Sequence, residues 1–260
     1  MLIYVVLFVV GAVIGSFLNV CIYRWPREEK IGMTRSRCPH CKKTIVWYDN
    51  IPFISYLLLK GKCRYCKKTI SFRYFVVEFL SAIALCLAWW RFGPAAGIIL
   101  FIFMALLIIG SFVDLEFFII PDSVTLGGII IGVIAGTVYP ALLGAGGWWQ
   151  GLLKSVLGVV IPGGALYLIA ITGSLILKKE AMGMGDVKLV GMIGSFIGWP
   201  MGLFSIFIAS LLGSVAGITL IIMQKTDLKG KIPFGPYLAV GAVISMFWGR
   251  VMVNWYLNLL

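Results

Sequence analysis

Eight apolar stretches follow one another along this chain, near residues 2–23, 74–92, 95–113, 123–142, 152–176, 187–199, 201–223 and 234–256. A helix needs about 20 apolar residues to cross the hydrocarbon layer of a bilayer, so the pattern reads as an all-α polytopic membrane protein of about eight transmembrane helices. The composition agrees, since 61% of the residues are hydrophobic and 12% charged. The sixth stretch is short, and Pro200 in "WPMG" is expected to break or kink the chain after it; a half-helix, and seven spans in place of eight, is the alternative. The first stretch lacks a basic leader and runs straight into a basic loop, so it is expected to remain as an anchor and not to be cleaved as a signal peptide.

Positive residues stay on the cytoplasmic side of such proteins. Residues 24–73 hold thirteen of the 22 lysines and arginines. With that segment inside, Lys178, Lys179, Lys188, Lys225, Lys229 and Lys231 also fall inside, leaving Arg91, Lys154 and Arg250 outside. Both termini then face out, and all ten acidic residues lie on or near the cytoplasmic side. The net charge of +12 is accounted for by this topology and by anionic lipid, so no nucleic-acid partner is expected.

The segment between the first two stretches carries two C-x2-C pairs, Cys38 with Cys41 and Cys63 with Cys66, each followed by "KKTI" and separated by 21 residues. Two matching knuckles of this kind supply four thiolates at about 2.3 Å to one tetrahedral Zn²⁺, and a small segment with little core takes its fold from the metal. Disulfides are the other reading, but the loop is placed in the reducing cytoplasm, where they are rare. A closed four-cysteine site leaves no open coordination position, so the zinc is expected to be structural. His40 reads as a surface residue, and Cys21 and Cys86 as packing residues within spans.

Chemistry must then come from carboxylates. Asp114, Glu116 and Asp122 stand in "DLEFFIIPD" at the cytoplasmic end of the third stretch, and Asp186 stands in "AMGMGDVKLVG" at the same depth. Two carboxyls converging from different helices can share one proton and activate water for peptide hydrolysis. Each has a plainer reading. Asp122 suits the N-cap of the fourth helix, Glu116 a headgroup or water contact, and Asp186 the positive end of its own helix. Asp114 lies at a helix C-terminus, where the dipole disfavours a negative charge, so it is the hardest to explain structurally. A proton or ion path is the rival use of intramembrane acids, and a zinc-loop scaffold with both aspartates as caps is another. No serine-nucleophile or H-E-x-x-H motif occurs, and the single histidine argues against a histidine base.

Taken together, "GSFLNVCIYRWP", the two cysteine pairs flanking "NIPFISYLLLKGKC", "ISFRYFVVE", "DLEFFIIPD", "GMGDVKLVGMIGSFIGW" and "IPFGPYLAVGA" resemble the type IV prepilin peptidases, membrane aspartic proteases of bacteria. The resemblance spans nearly the whole chain. It implies that Asp114 and Asp186 are the catalytic pair, with Gly183 and Gly185 letting the backbone turn close to the substrate. It also implies a first helix at 1–23, a cytoplasmic zinc domain at 24–73 and a peptidase bundle at 74–260 in the bacterial inner membrane. The substrates would be prepilins and type II secretion pseudopilins, whose basic leaders also stay inside. Many members also methylate the new N-terminus with S-adenosylmethionine, which is implied here by the resemblance alone. Phe75 departs from the family, which commonly has proline after "RY".

Overall fold

The computed structural model describes residues 1–29, 36–178, 182–223 and 233–258; Lys179, Lys225, Lys229 and Lys231 of the orientation reading lie outside them. Eight α-helices follow in order among the described residues: α1 (Leu2–Arg24), α2 (Ile54–Leu58), α3 (Arg73–Phe117), α4 (Asp122–Val138), α5 (Trp148–Leu177), α6 (Met184–Ile197), α7 (Trp199–Ile222) and α8 (Gly235–Leu257). Among the described residues the only β-pairing is two isolated bridges in the cysteine loop. Five of the helices, α1, α3, α5, α7 and α8, are long and apolar enough to cross a membrane, and the chain is a multi-pass membrane protein.

Helix α3 carries two of the expected spans. Its 45 residues are interrupted at Gly93, where φ is 77°. That left-handed backbone suits glycine, and the Pro94 that follows removes a helical N–H. The sixth stretch needs correction. Helix α6 has 14 residues, about 21 Å of rise against a hydrocarbon core of about 30 Å. Most of it is enclosed by protein: Leu189 to Phe196 are all buried, and α4, α5, α7 and α8 pack around it. The break after it falls at Gly198 (φ 81°), while Pro200 sits harmlessly in the first turn of α7. Helix α4 likewise stops at Val138, short of the expected 142, because Pro140 starts a separate 3₁₀ turn.

The chain divides into two compact units, Met1–Ile109 and Gly110–Leu260. In the first, α1 runs antiparallel to the start of α3. Methyl groups on Gly11 and Gly15 would come within 2.7 Å of the Ala82 and Glu78 Cα atoms, so the two backbones touch, as small residues allow in membranes. Ser81 Oγ donates to the Gly11 carbonyl at 2.7 Å and Asn19 Nδ2 to that of Tyr74 at 3.1 Å. In the second unit, Gly158 of α5 and Gly194 of α6 approach so closely that a methyl on either would overlap the other's carbonyl. Ser155 Oγ donates across the same seam to the Ser195 carbonyl at 2.9 Å. This close central packing fixes where α6 begins, and with it Asp186.

Candidate active site and metal site

The two cysteine knuckles have the same local fold, as their repeated sequence requires. In each, the first cysteine N–H donates to the second lysine of the K-K pair (Cys38 to Lys43, 3.0 Å; Cys63 to Lys68, 2.9 Å). The preceding lysine, Lys42 or Lys67, turns the chain at φ 58°. The four sulfurs of Cys38, Cys41, Cys63 and Cys66 lie within 4.8 Å of one another, and Cys38 Sγ is 3.9 Å from Cys66 Sγ. A tetrahedron with bonds of about 2.3 Å has edges of about 3.8 Å, so these four thiols fit one metal ion. His40 is exposed and takes no part in the cluster. Arg64 grips Asp49 with two hydrogen bonds of 2.7 and 2.6 Å and holds that carboxyl below its usual range, tying the turn at Trp47–Asn50 to the second knuckle.

The carboxylates of interest all lie in the second unit. Asp114 sits one turn before the end of α3 and is buried. The helix stops when Phe118 turns left-handed (φ 56°), its N–H donating to the Asp114 carbonyl at 2.9 Å. The Asp114 side chain is held from another direction, because the N–H of Gly235, the first residue of α8, donates to its Oδ2 at 2.9 Å. Asp186 lies in the first turn of α6, half-buried and within electrostatic range of Asp114. It is the acidic residue of that turn, where the positive end of the helix dipole favours a negative charge, so the plainer reading stands beside the catalytic one. Ile120 is lodged between the helix starts, its side chain against Gly185 and Gly235.

Neither glycine of the G-x-G needs a left-handed backbone. Gly183 is extended (φ −74°), and Gly185 instead spares room, since a methyl there would lie 3.3 Å from Ile120 Cβ. Asp122 is also not the N-cap expected of it. Pro121 occupies that position, and Asp122, the first helical residue, pairs with Lys188 of α6 at 2.6 Å. That pair is largely exposed, and such pairs contribute little, about 0–1 kcal/mol. Glu116 is exposed. The Gly235 N–H and Lys188 carry no local sequence signal for these roles; the motif around Gly235 is visible, its hydrogen bond is not.

Two family models match the chain, the bacterial peptidase A24 N-terminal domain over residues 9–92 and the type IV leader peptidase family over residues 101–218. The chain is 34% identical to a prepilin leader peptidase/N-methyltransferase of Legionella pneumophila, covering 98% of this chain and 94% of the relative. It belongs to the type IV leader peptidase family. A second relative of the same name, from Stutzerimonas stutzeri, is 35% identical over 96% of this chain and 92% of its own. A type 4 prepilin-like proteins leader peptide-processing enzyme of Escherichia coli is 36% identical, with 91% of each covered. No solved structure matches. Within this leader peptidase the four cysteines fall in the N-terminal match, while Asp114 and Asp186 fall in the peptidase match.

Proposed function

We propose that this leader peptidase is a membrane aspartic endopeptidase that removes the basic leader of type IV prepilins and type II secretion pseudopilins, and that Asp114 and Asp186 are its catalytic pair. The relatives' names carry the substrate class. The observation that carries the site is that Ile120 packs on both Gly185, the neighbour of Asp186, and Gly235, whose N–H holds Asp114, which keeps the two carboxyls within electrostatic range. One carboxylate takes a proton from water as it attacks the scissile carbonyl, and the other gives a proton to the carbonyl oxygen or the leaving amine. With Oδ2 of Asp114 engaged by Gly235, its Oδ1 is the oxygen left for water. The same unit holds a cavity of about 310 Å³ lined by Met182, Ser210, Gly213, Ser214, Phe234 and Tyr237. Phe234 and Met182 directly precede Gly235 and Gly183, so the cavity supports the reading as a place for substrate beside the acids.

The lysine and arginine distribution supports an inner-membrane orientation with residues 24–73 and the active site facing the cytoplasm, where a basic leader also remains. In this arrangement residues 24–73 form the zinc domain and 74–260 the peptidase bundle. The cysteine cluster would hold Zn²⁺ through Cys38, Cys41, Cys63 and Cys66, and a closed thiolate set gives it a structural role. About one zinc per chain is expected in freshly purified, reduced protein. Cys63→Ser is expected to lower that content and to make the loop more sensitive to protease; elemental analysis that finds no metal in the parent protein would overturn the assignment.

The relatives' names also support methylation of the new N-terminus. S-adenosylmethionine would supply the methyl group to that amine. The described residues contain no recognisable nucleotide-binding loop, so the chemistry assigned to this chain's own residues is that of the two aspartates. Incubation of the purified protein with a prepilin, with and without S-adenosylmethionine, tests both parts by the product masses. The expected product lacks the leader in either case and gains one methyl group when the donor is present; prepilin that stays intact would overturn the peptidase reading.

A further inference from the structure

The short helix α2 in the cysteine loop is placed oddly for a water-exposed domain. Its polar and aromatic side turns inward. Ser55 is buried, accepting the Ile51 N–H at 3.0 Å and donating to the Tyr48 carbonyl at 2.8 Å, while Tyr56 packs on Phe72 and Phe75. Its other side presents Ile54, Leu57 and Leu58, which are 54%, 65% and 77% exposed. Three apolar side chains facing water would be costly, by about 25 cal/mol per Å² of apolar surface.

The depth of this segment explains them. The N–H of Phe53, just before α2, donates to Glu78 Oε2 at 3.0 Å. Glu78 lies opposite Gly15 of α1, and Gly15 is nine residues, about 14 Å of helix rise, from the Arg24 end. The Phe53 ring reaches deeper still, stacking on Phe8 with centroids 5.7 Å apart. Phe8 is a further seven residues, about 10 Å, along α1, and its side chain leans toward the helix N-terminus, farther from Arg24. Phe75 joins the other side of Phe53 at 5.3 Å, so the residue that departs from the family pattern helps seat this turn. All of these contacts lie in one compact unit. The chain therefore descends beside α1 and α3 to Phe53, and α2 leads from that depth back to the start of α3, where Tyr56 meets Phe72 and Phe75.

We propose that α2 is a membrane-dipping element: Ile54, Leu57 and Leu58 sit among the acyl chains of the bilayer that α1 and α3 cross, and the cations around them hold anionic headgroups. Short re-entrant pieces of this kind are tolerated where protein covers their backbone, which Ser55 and Glu78 do here by taking the Ile51 and Phe53 N–H groups. Charge favours lipid over substrate as the occupant. Residues 36–73 carry nine lysines and arginines and one acid, Asp49, a surface that attracts anionic lipid and repels a basic leader. The element thus anchors the cysteine loop to the bilayer independently of catalysis.

A photoreactive benzoylphenylalanine in place of Leu58, in full-length protein reconstituted with prepilin into phosphatidylethanolamine and phosphatidylglycerol bilayers, tests this. Irradiation is expected to give adducts on lipid acyl carbons, found by mass spectrometry, whereas the same probe at Thr69 in the second knuckle gives none. Adding Leu57→Glu beside a probe at Ile54 is expected to abolish its acyl adducts, with metal content unchanged as the check on folding. Absence of acyl adducts at Leu58, or adducts to prepilin in their place, overturns the proposal.

Discussion

Asp114→Asn and Asp186→Asn are each expected to slow prepilin cleavage by roughly 10²–10⁴-fold, the size of a general acid–base contribution. Asparagine keeps the shape of the side chain and cannot exchange the proton. The fold should tolerate both changes. The carbonyl of an asparagine at position 114 can still accept the Gly235 N–H that Oδ2 accepts now, and asparagine is also a tolerated size in the first turn of α6, where Asp186 lies. Equal protein yield, equal metal content and lost cleavage would therefore isolate the chemistry; a near-normal rate in either variant removes that residue from the mechanism. Asp122→Asn breaks only the exposed pair with Lys188 and is expected to do far less. The comparison also separates the rival uses of these acids. A proton relay places acids along a path through the bilayer, whereas Asp114 and Asp186 stand near the ends of their helices, and a scaffold would be indifferent to both substitutions.

Local chemistry made much of this fold legible. Hydropathy marks the long helices, and the Gly93–Pro94 pair marks the break in α3, because both features act on the residues that carry them. The knuckles were legible for the same reason, each turn being closed within its own "CxxCKKTI". The sequence misleads where a neighbour in space decides. Pro200 looks like the breaker, but proline is acceptable in a first turn, and the chain actually turns at Gly198. The apolar run of α6 looks like a span, yet it is apolar because four helices bury it. Asp122 has the composition of a cap, but Lys188 lies 66 positions away and takes its carboxylate. The cysteine loop reads as soluble because its cations dominate its composition. The three apolar side chains of α2 carry weight only once Phe53 is found against Phe8 and Glu78.

The same limit applies to Gly235, whose role depends on a partner 121 residues away. Gly235→Ala is expected to reduce cleavage about as severely as a misplacement of one reacting group by 1 Å, roughly 10²-fold. Alanine is at home in the first turn of a helix, so the backbone is not the obstacle. The obstacle is space, because a Cβ at this position would lie 2.8 Å from Asp114 Oδ2 and 3.2 Å from Ile120 Cδ1. Ile120 is itself wedged against Gly185, so the carboxyl of Asp114 is the group that must move, away from the N–H that aims it. Since Gly235 acts through Asp114 and not on the substrate, kcat should fall while KM holds, and metal content should stay unchanged. Gly127→Ala, on α4 with nothing within 4 Å of the new methyl, is the control and should leave the rate as it was. A Gly235→Ala enzyme with the parent's kcat would mean that Asp114 does not depend on this hydrogen bond for its working position.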